Sequence, residues 1–254
     1  MAATLDRAVF FARVRAAPFG GSLTPAQVAG ITTILDACPA GFAPAWLAYC
    51  LATAFHETAR TMQPIEEYGR GKGRAYGPTG FWGRGYVQLT WQANYARATT
   101  ELRRLGVLSA AQDLVTAPAL AMRPDLAAAI MFRGMAEGWF TGKRLADYFG
   151  PGKSDPIGAR HIINGTDRAA TIAGYHASFA AALEAAGYGE AGRDFTKPPV
   201  STIPPAGIAL TANPAVPQPA PTGGLSSAAA PAARPQPGFW SRVHALLSRK
   251  DKVA

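Results

Sequence analysis

Apolar residues recur at helical spacing through roughly the first 195 positions and then stop. Leu5–Ala17 carries Val9, Phe10, Phe11 and Val14 within helical reach. Thr24 followed by Pro25 reads as an N-cap with proline at the first helical position, opening a helix over Pro25–Ala37. Ala43–Thr58 is apolar nearly all round, with Trp46, Leu47, Tyr49, Leu51 and Phe55, and is therefore expected to be a central buried helix. Further helices are expected over Trp91–Leu105, Pro124–Glu137 and Asp167–Ala186, the last opened by its aspartate. Between them Gly69–Gly85 holds seven glycines in seventeen residues, which predicts a loop with at most a short hairpin. The pattern predicts an all-α or α-rich fold with minimal β structure.

The periodicity breaks near Lys197. Residues 197–237 form a Pro/Ala-rich tract with Gly223-Gly224 and Ser226-Ser227, expected to be an extended linker. Residues 238–254 then offer a short basic amphipathic helix. Phe239, Trp240, Val243, Leu246 and Leu247 share one side of it, with Arg242, His244, Arg249 and Lys250 mostly off it. Basic residues with aromatics at the apolar edge suit contact of Phe239–Lys252 with a membrane or outer envelope. Docking on the domain at residues 1–196, or a frayed tail, is the alternative.

Charge changes the picture only modestly. The chain of 254 residues carries 25 Lys+Arg against 16 Asp+Glu, a formal charge of +9. Such a field favours anionic partners without choosing among nucleic acid, phospholipid and an anionic wall polymer. Two cysteines, Cys38 and Cys50, give no disulfide framework and suit a reducing compartment. The N-terminus interleaves Arg and Asp with its apolar residues, unlike a secretory signal. Cytoplasmic synthesis is expected, and a target outside the cytoplasm would require a separate device to release the protein.

The chemistry concentrates in two stretches, AFHETARTMQPIEEY (Ala54–Tyr68) and GRGYVQLTWQANY (Gly83–Tyr95). His56-Glu57 raises a zinc-protease pattern, but Arg60 stands where the second histidine ligand is needed. The four histidines do not cluster, so neither metal nor cofactor is expected. The run GRGKGRAYG lacks the GxxxxGK[ST] of a phosphate loop. Its composition resembles RNA-binding glycine–arginine runs, but Tyr76, Phe81 and Trp82 equally offer stacking faces for sugars. Glu57, near the end of an apolar helix, is expected to be partly desolvated and to suit a general acid. Glu66 and Glu67 lie in a polar, basic segment that suits an ionised partner. Paired carboxylates from separate segments are what glycosidic cleavage requires, ~6.5–9.5 Å apart for inversion.

FHET, GRGYVQLTWQANYARA and HIINGTDRAATIAGYH, in that order, resemble motifs of the family 19 glycoside hydrolases, the chitinases and related phage-type endolysins. The resemblance runs through most of residues 5–190. It implies a lysozyme-like, two-lobed, α-rich domain with a deep cleft, and an inverting mechanism. By motif, Glu57 would be the acid and Thr90 would help hold the attacking water. The second carboxylate falls on Glu66 or Glu67, with Glu67 slightly favoured. His56, Tyr76, Trp82, Gln88, Asn94, Tyr95 and Asn164 are expected at the substrate, while Arg84 orders the loop. The expected activity is cleavage of β-1,4 bonds in an N-acetylglucosamine-containing polymer by a monomer. Peptidoglycan, in host lysis, comes first and chitin second. An inactive lysozyme-like scaffold that binds nucleic acid or membrane is the remaining alternative; no sequence-specific nucleic acid is expected as partner.

Overall fold

A computed structural model of the protein describes residues 5–189. The expected linker and C-terminal amphipathic helix lie outside the described residues. Six α-helices dominate: α1 (Arg7–Ala16), α2 (Pro25–Asp36), α3 (Pro44–Glu57), α4 (Gln92–Arg104), α5 (Pro124–Glu137) and α6 (Ala169–Ala185). Two antiparallel hairpins accompany them, β1 (Ile65–Glu66) with β2 (Arg84–Gly85), and β3 (Phe149–Gly150) with β4 (Lys153–Ser154). The fold is thus helix-rich with very little sheet. None of these helices is long and apolar enough to cross a membrane.

Local signals explain most boundaries. The Thr24 hydroxyl accepts from the Gln27 amide while the Gln27 side chain accepts from the Thr24 amide, and Pro25 opens α2. α5 starts at Pro124 and ends on Gly138 in the left-handed conformation. α6 departs from expectation. Asp167 does not cap it, and Arg168, itself left-handed at φ 58°, occupies the cap position without a side-chain bond.

The core is built around α3 and α5. Ten residues of α3 are buried, including Leu47, Tyr49, Leu51 and Phe55, and the helix packs chiefly against α6. In α5 every residue from Leu126 to Met135 is buried. Gly134 leaves room for the Phe140 ring, which a side chain there would overlap.

α2 has a second task. Its Gly30 lies against the Met62 carbonyl, which a Cβ would overlap. Gln63 Nε2 donates to the Ala26 carbonyl at 2.6 Å, and Gln27 Nε2 donates to that of Arg60 at 3.0 Å. These contacts fasten the segment that follows Glu57. Gly30→Ala is expected to force α2 and that segment apart, at about 1–3 kcal/mol, as overpacking usually does. Thermal unfolding measures it; an unchanged midpoint would show that α2 yields without loss.

Candidate functional site

The predicted residues fall into two clusters. The first forms at the C-terminal end of α3. Glu57 is 5% exposed, yet it is not the lone acid in apolar surroundings that the helix pattern suggests. Arg160, 1% exposed, comes from the 3-10 turn Gly158–Ile162, and its Nη1 donates to Glu57 Oε1 at 2.6 Å. Arg160 Nε also donates to the Asp167 carbonyl at 3.0 Å, so the guanidinium is held from both sides. A buried charge without a partner is strongly unfavourable, which is why this carboxylate and this guanidinium occur together. Asn164 belongs to the same cluster: its backbone amide donates to the Arg160 carbonyl at 2.9 Å.

His56 precedes Glu57, and burial pushes its pKa down to about 4, aided by Arg160 and opposed by Glu57. An exposed histidine in the unfolded chain titrates near ~6.5. As pH falls through the window from that value to about 4, the unfolded chain takes up a proton that the folded protein does not. Stability therefore drops on acidification across this window, by up to about 3 kcal/mol from His56. His176, also pushed down by burial, acts in the same direction. Melting temperatures between pH 4 and 7 are expected to vary less steeply in His56→Gln than in the wild type; parallel curves would exclude His56 as a source of the slope.

The chain turns sharply after Glu57. Thr58 Oγ1 donates to the Ala54 carbonyl at 2.7 Å and accepts the Met62 amide at 3.0 Å. Ala59, Arg60 and Met62 all adopt positive φ, at 50°, 68° and 57°. Left-handed backbone is uncommon for residues other than glycine. Among the described residues the other instances are Arg70, Gln88, Trp91 and Arg168. All seven lie between Glu57 and Trp91 or beside Asp167. Strained backbone of this kind concentrates at functional sites, held by the surrounding structure.

The second cluster is built on the β1–β2 hairpin, where Ile65 faces Gly85 and Glu66 faces Arg84. Successive residues of extended chain point to opposite sides, and the adjacent glutamates part accordingly. Glu67 turns inward, 6% exposed. Its Oε1 accepts from the Tyr76 hydroxyl at 2.9 Å and its Oε2 from the Gly83 amide at 3.1 Å. Glu66 stays at the surface with its side chain 30% exposed. Its Oε1 accepts from Trp82 Nε1 at 2.8 Å and Arg84 Nε at 3.1 Å, while Arg70 Nε reaches Oε2 at 2.9 Å. Partial burial opposes ionisation of Glu66, but the indole donor and the charges of Arg84 and Arg70 outweigh it and hold the carboxyl below the usual range. Glu66 is accordingly a carboxylate at neutral pH.

Arg84 orders this wall, as its place in the turn suggests. Its guanidinium carbon lies 4.5 Å from the centre of the Trp82 ring, and its Nη1 donates to the Gly80 carbonyl and the Tyr95 hydroxyl, both at 3.0 Å. Tyr95, expected at the sugar, is instead fully buried; its hydroxyl donates to the Trp82 carbonyl at 2.8 Å, bracing the wall from behind. Gln88 Nε2 donates to the Ile65 and Gly85 carbonyls at 3.0 and 3.3 Å, and Asn94 Nδ2 donates to the Thr90 carbonyl at 2.9 Å. Gln88 thus ties the two strands of the hairpin, and Asn94 ties the first turn of α4 to Thr90, four residues before it. Thr90 Oγ1 donates to the Gln88 carbonyl at 2.8 Å, which leaves its oxygen the capacity to accept from water.

Sequence reasoning missed Arg160, and a signal was present: a carboxylate buried at a helix end demands a cation, and Arg160 directly precedes the HIING motif. Among the described residues, no group of three or more His, Cys, Asp or Glu is placed to hold a metal ion. No protein-family model, curated protein or solved structure matches the chain.

Proposed function

We propose that the protein is an inverting glycoside hydrolase of the family 19 type, with a lysozyme-like cleft, acting on β-1,4 bonds of peptidoglycan. The observation that carries this reading is the unequal treatment of the three carboxylates of the Ala54–Tyr68 stretch. Glu57 is buried and clamped by Arg160, Glu67 is buried within its own loop, and Glu66 alone reaches solvent as an ionised group. Glycosidic cleavage by inversion needs an acid at the leaving oxygen and an ionised base with access to water. Glu57, the glutamate of FHET, takes the first role in its protonated form, with Arg160 fixing the direction of its carboxyl group and the ion pair re-forming once the proton has passed to the leaving oxygen. Glu66 takes the second, in preference to Glu67, because a base must meet water and Glu67 is enclosed. Thr90 accepts a hydrogen bond from the attacking water.

Peptidoglycan is preferred over chitin on charge. Lys72 is exposed on the loop beside Glu66, and Arg70, whose Nε is bonded to Glu66, keeps the rest of its guanidinium at the surface. Consecutive turns shape that loop, Lys72 to Gly69 and Arg74 to Gly71 through backbone bonds of 2.9 and 2.8 Å. Peptidoglycan carries carboxylates for these cations to meet, whereas chitin is neutral. Host lysis is the biological setting that this substrate suggests.

Turbidity loss and new reducing ends on purified peptidoglycan, measured beside colloidal chitin, test the reading, and proton NMR of the released anomer tests inversion. Activity on chitin alone would replace the substrate. Inactivity on both, with polysaccharide or nucleic acid still bound, would leave a binding module on this scaffold.

A further inference from the structure

Trp91 breaks two local rules at once. It sits at the N-cap of α4, where side chains that can accept a hydrogen bond are preferred, and its indole makes no capping bond. Its φ is 73°, an outlier for a bulky residue. Even so, its backbone is tightly held: its amide donates to the Phe81 carbonyl at 2.8 Å, and its own carbonyl accepts the Asn94 and Tyr95 amides at 3.0 and 3.2 Å. Glycine would satisfy this backbone better. The fold gains little from the ring, which remains 41% exposed.

What the ring does touch is informative. It packs edge-to-face with Tyr76, ring centres 5.3 Å apart, and the Tyr76 hydroxyl donates to Glu67. Trp91 also directly follows Thr90. A flat apolar surface is thus held on a fixed backbone beside Tyr76 and directly after Thr90, the residue assigned to the attacking water. Only two other large hydrophobic side chains are as exposed among the described residues, Tyr68 and Ile157.

We propose that the exposed face of Trp91 is a stacking subsite for a pyranose ring of the glycan, an N-acetylhexosamine, with Tyr76 setting the tilt of the indole. The inference rests on the glycosidase reading and adds to it a residue that determines substrate affinity. Hexopyranoses linked through equatorial bonds present a face of C–H groups, which an aromatic ring covers without needing a directed polar partner. Covering roughly a third of an indole's apolar surface corresponds to a change on the order of tenfold in affinity.

The decisive comparison uses the full chain as wild type, Trp91→Gly and Trp91→Phe, with solubilised peptidoglycan glycan strands as substrate. Glycine accepts positive φ without strain, so Trp91→Gly is expected to keep or raise the melting temperature while KM rises about tenfold and kcat stays within about twofold. Trp91→Phe, which keeps an aromatic face, is expected to restore most of the loss. A wild-type KM in Trp91→Gly would overturn the subsite, as would a KM increase that Trp91→Phe fails to reduce. If Trp91→Gly is unstable, KM in Trp91→Phe and Trp91→Leu decides instead: equal values would overturn the subsite and a higher value for leucine would support it. Wild-type protein that neither cleaves nor binds the strands would remove the glycosidase reading itself, a result distinct from a silent Trp91 variant in an active enzyme.

Discussion

Glu66→Gln is expected to lower glycan hydrolysis by about 10²–10⁴-fold, the range over which a positioned acid or base contributes. The neighbouring Glu67→Gln is expected to stay within about tenfold of wild type. The contrast follows from geometry. At position 66 a glutamine oxygen still accepts from Trp82 and Arg84, so those two bonds are kept, while the bond from Arg70 and the ionised base are lost. At position 67 a glutamine oxygen can take the Gly83 amide, and its NH2 can donate to the Tyr76 hydroxyl, which rotates to accept. Initial rates on peptidoglycan, read beside melting temperatures, separate the two. An inactive but folded Glu67→Gln with an active Glu66→Gln would reverse the assignment.

The second large effect concerns stability. Removing one partner of a buried ion pair leaves the other charge uncompensated, at about 3–5 kcal/mol. Arg160→Met is expected to lower the melting temperature by about 6–20 °C, from that energy and the usual sensitivity of a domain of this size. Glu57→Leu combined with Arg160→Met is expected to recover much of the loss, because two apolar side chains replace two buried charges. Hydrolysis stays absent in the double variant. A double-mutant cycle on thermal or denaturant unfolding measures the coupling. Additive single effects would show that the 2.6 Å contact contributes little to folding. The same physics bears on activity measurements with Glu57→Gln, whose loss of turnover counts as chemistry only in protein shown to be folded.

Much of this architecture is legible in local sequence. The helix ends at Pro25, Pro44 and Pro124 follow from proline's fixed φ and missing donor, and the Thr24–Gln27 capping box is a matter of spacing alone. The burial of α3 follows from its composition. The partner of Glu57 does not, since it lies 103 positions away and meets the carboxylate only after the 3-10 turn has packed. The division of labour between Glu66 and Glu67 depends on which face of a two-residue strand turns inward, a register that adjacent identical side chains cannot announce. Tyr95 looked like a ligand because its motif is polar and aromatic. In three dimensions its hydroxyl is claimed by the Trp82 carbonyl and Arg84. The second hairpin at Phe149–Ser154 spans too few residues for any alternation to show.

The contacts of α2 with the turn after Glu57 set a limit on protein engineering. A shortened variant that begins at α3 would keep every residue assigned to the proposed chemistry and most of the buried core. It would also lose Gln27, the Ala26 carbonyl and the close approach at Gly30, which hold Arg60, Met62 and Gln63 in place. In such a fragment the three left-handed residues would rest on the turn's own bonds, among them the Arg60 amide to the Phe55 carbonyl and the Met62 amide to Thr58 Oγ1. A fragment that keeps this turn fastened by α2 therefore starts before Thr24, and fusions or affinity tags belong upstream of α2 rather than in its place.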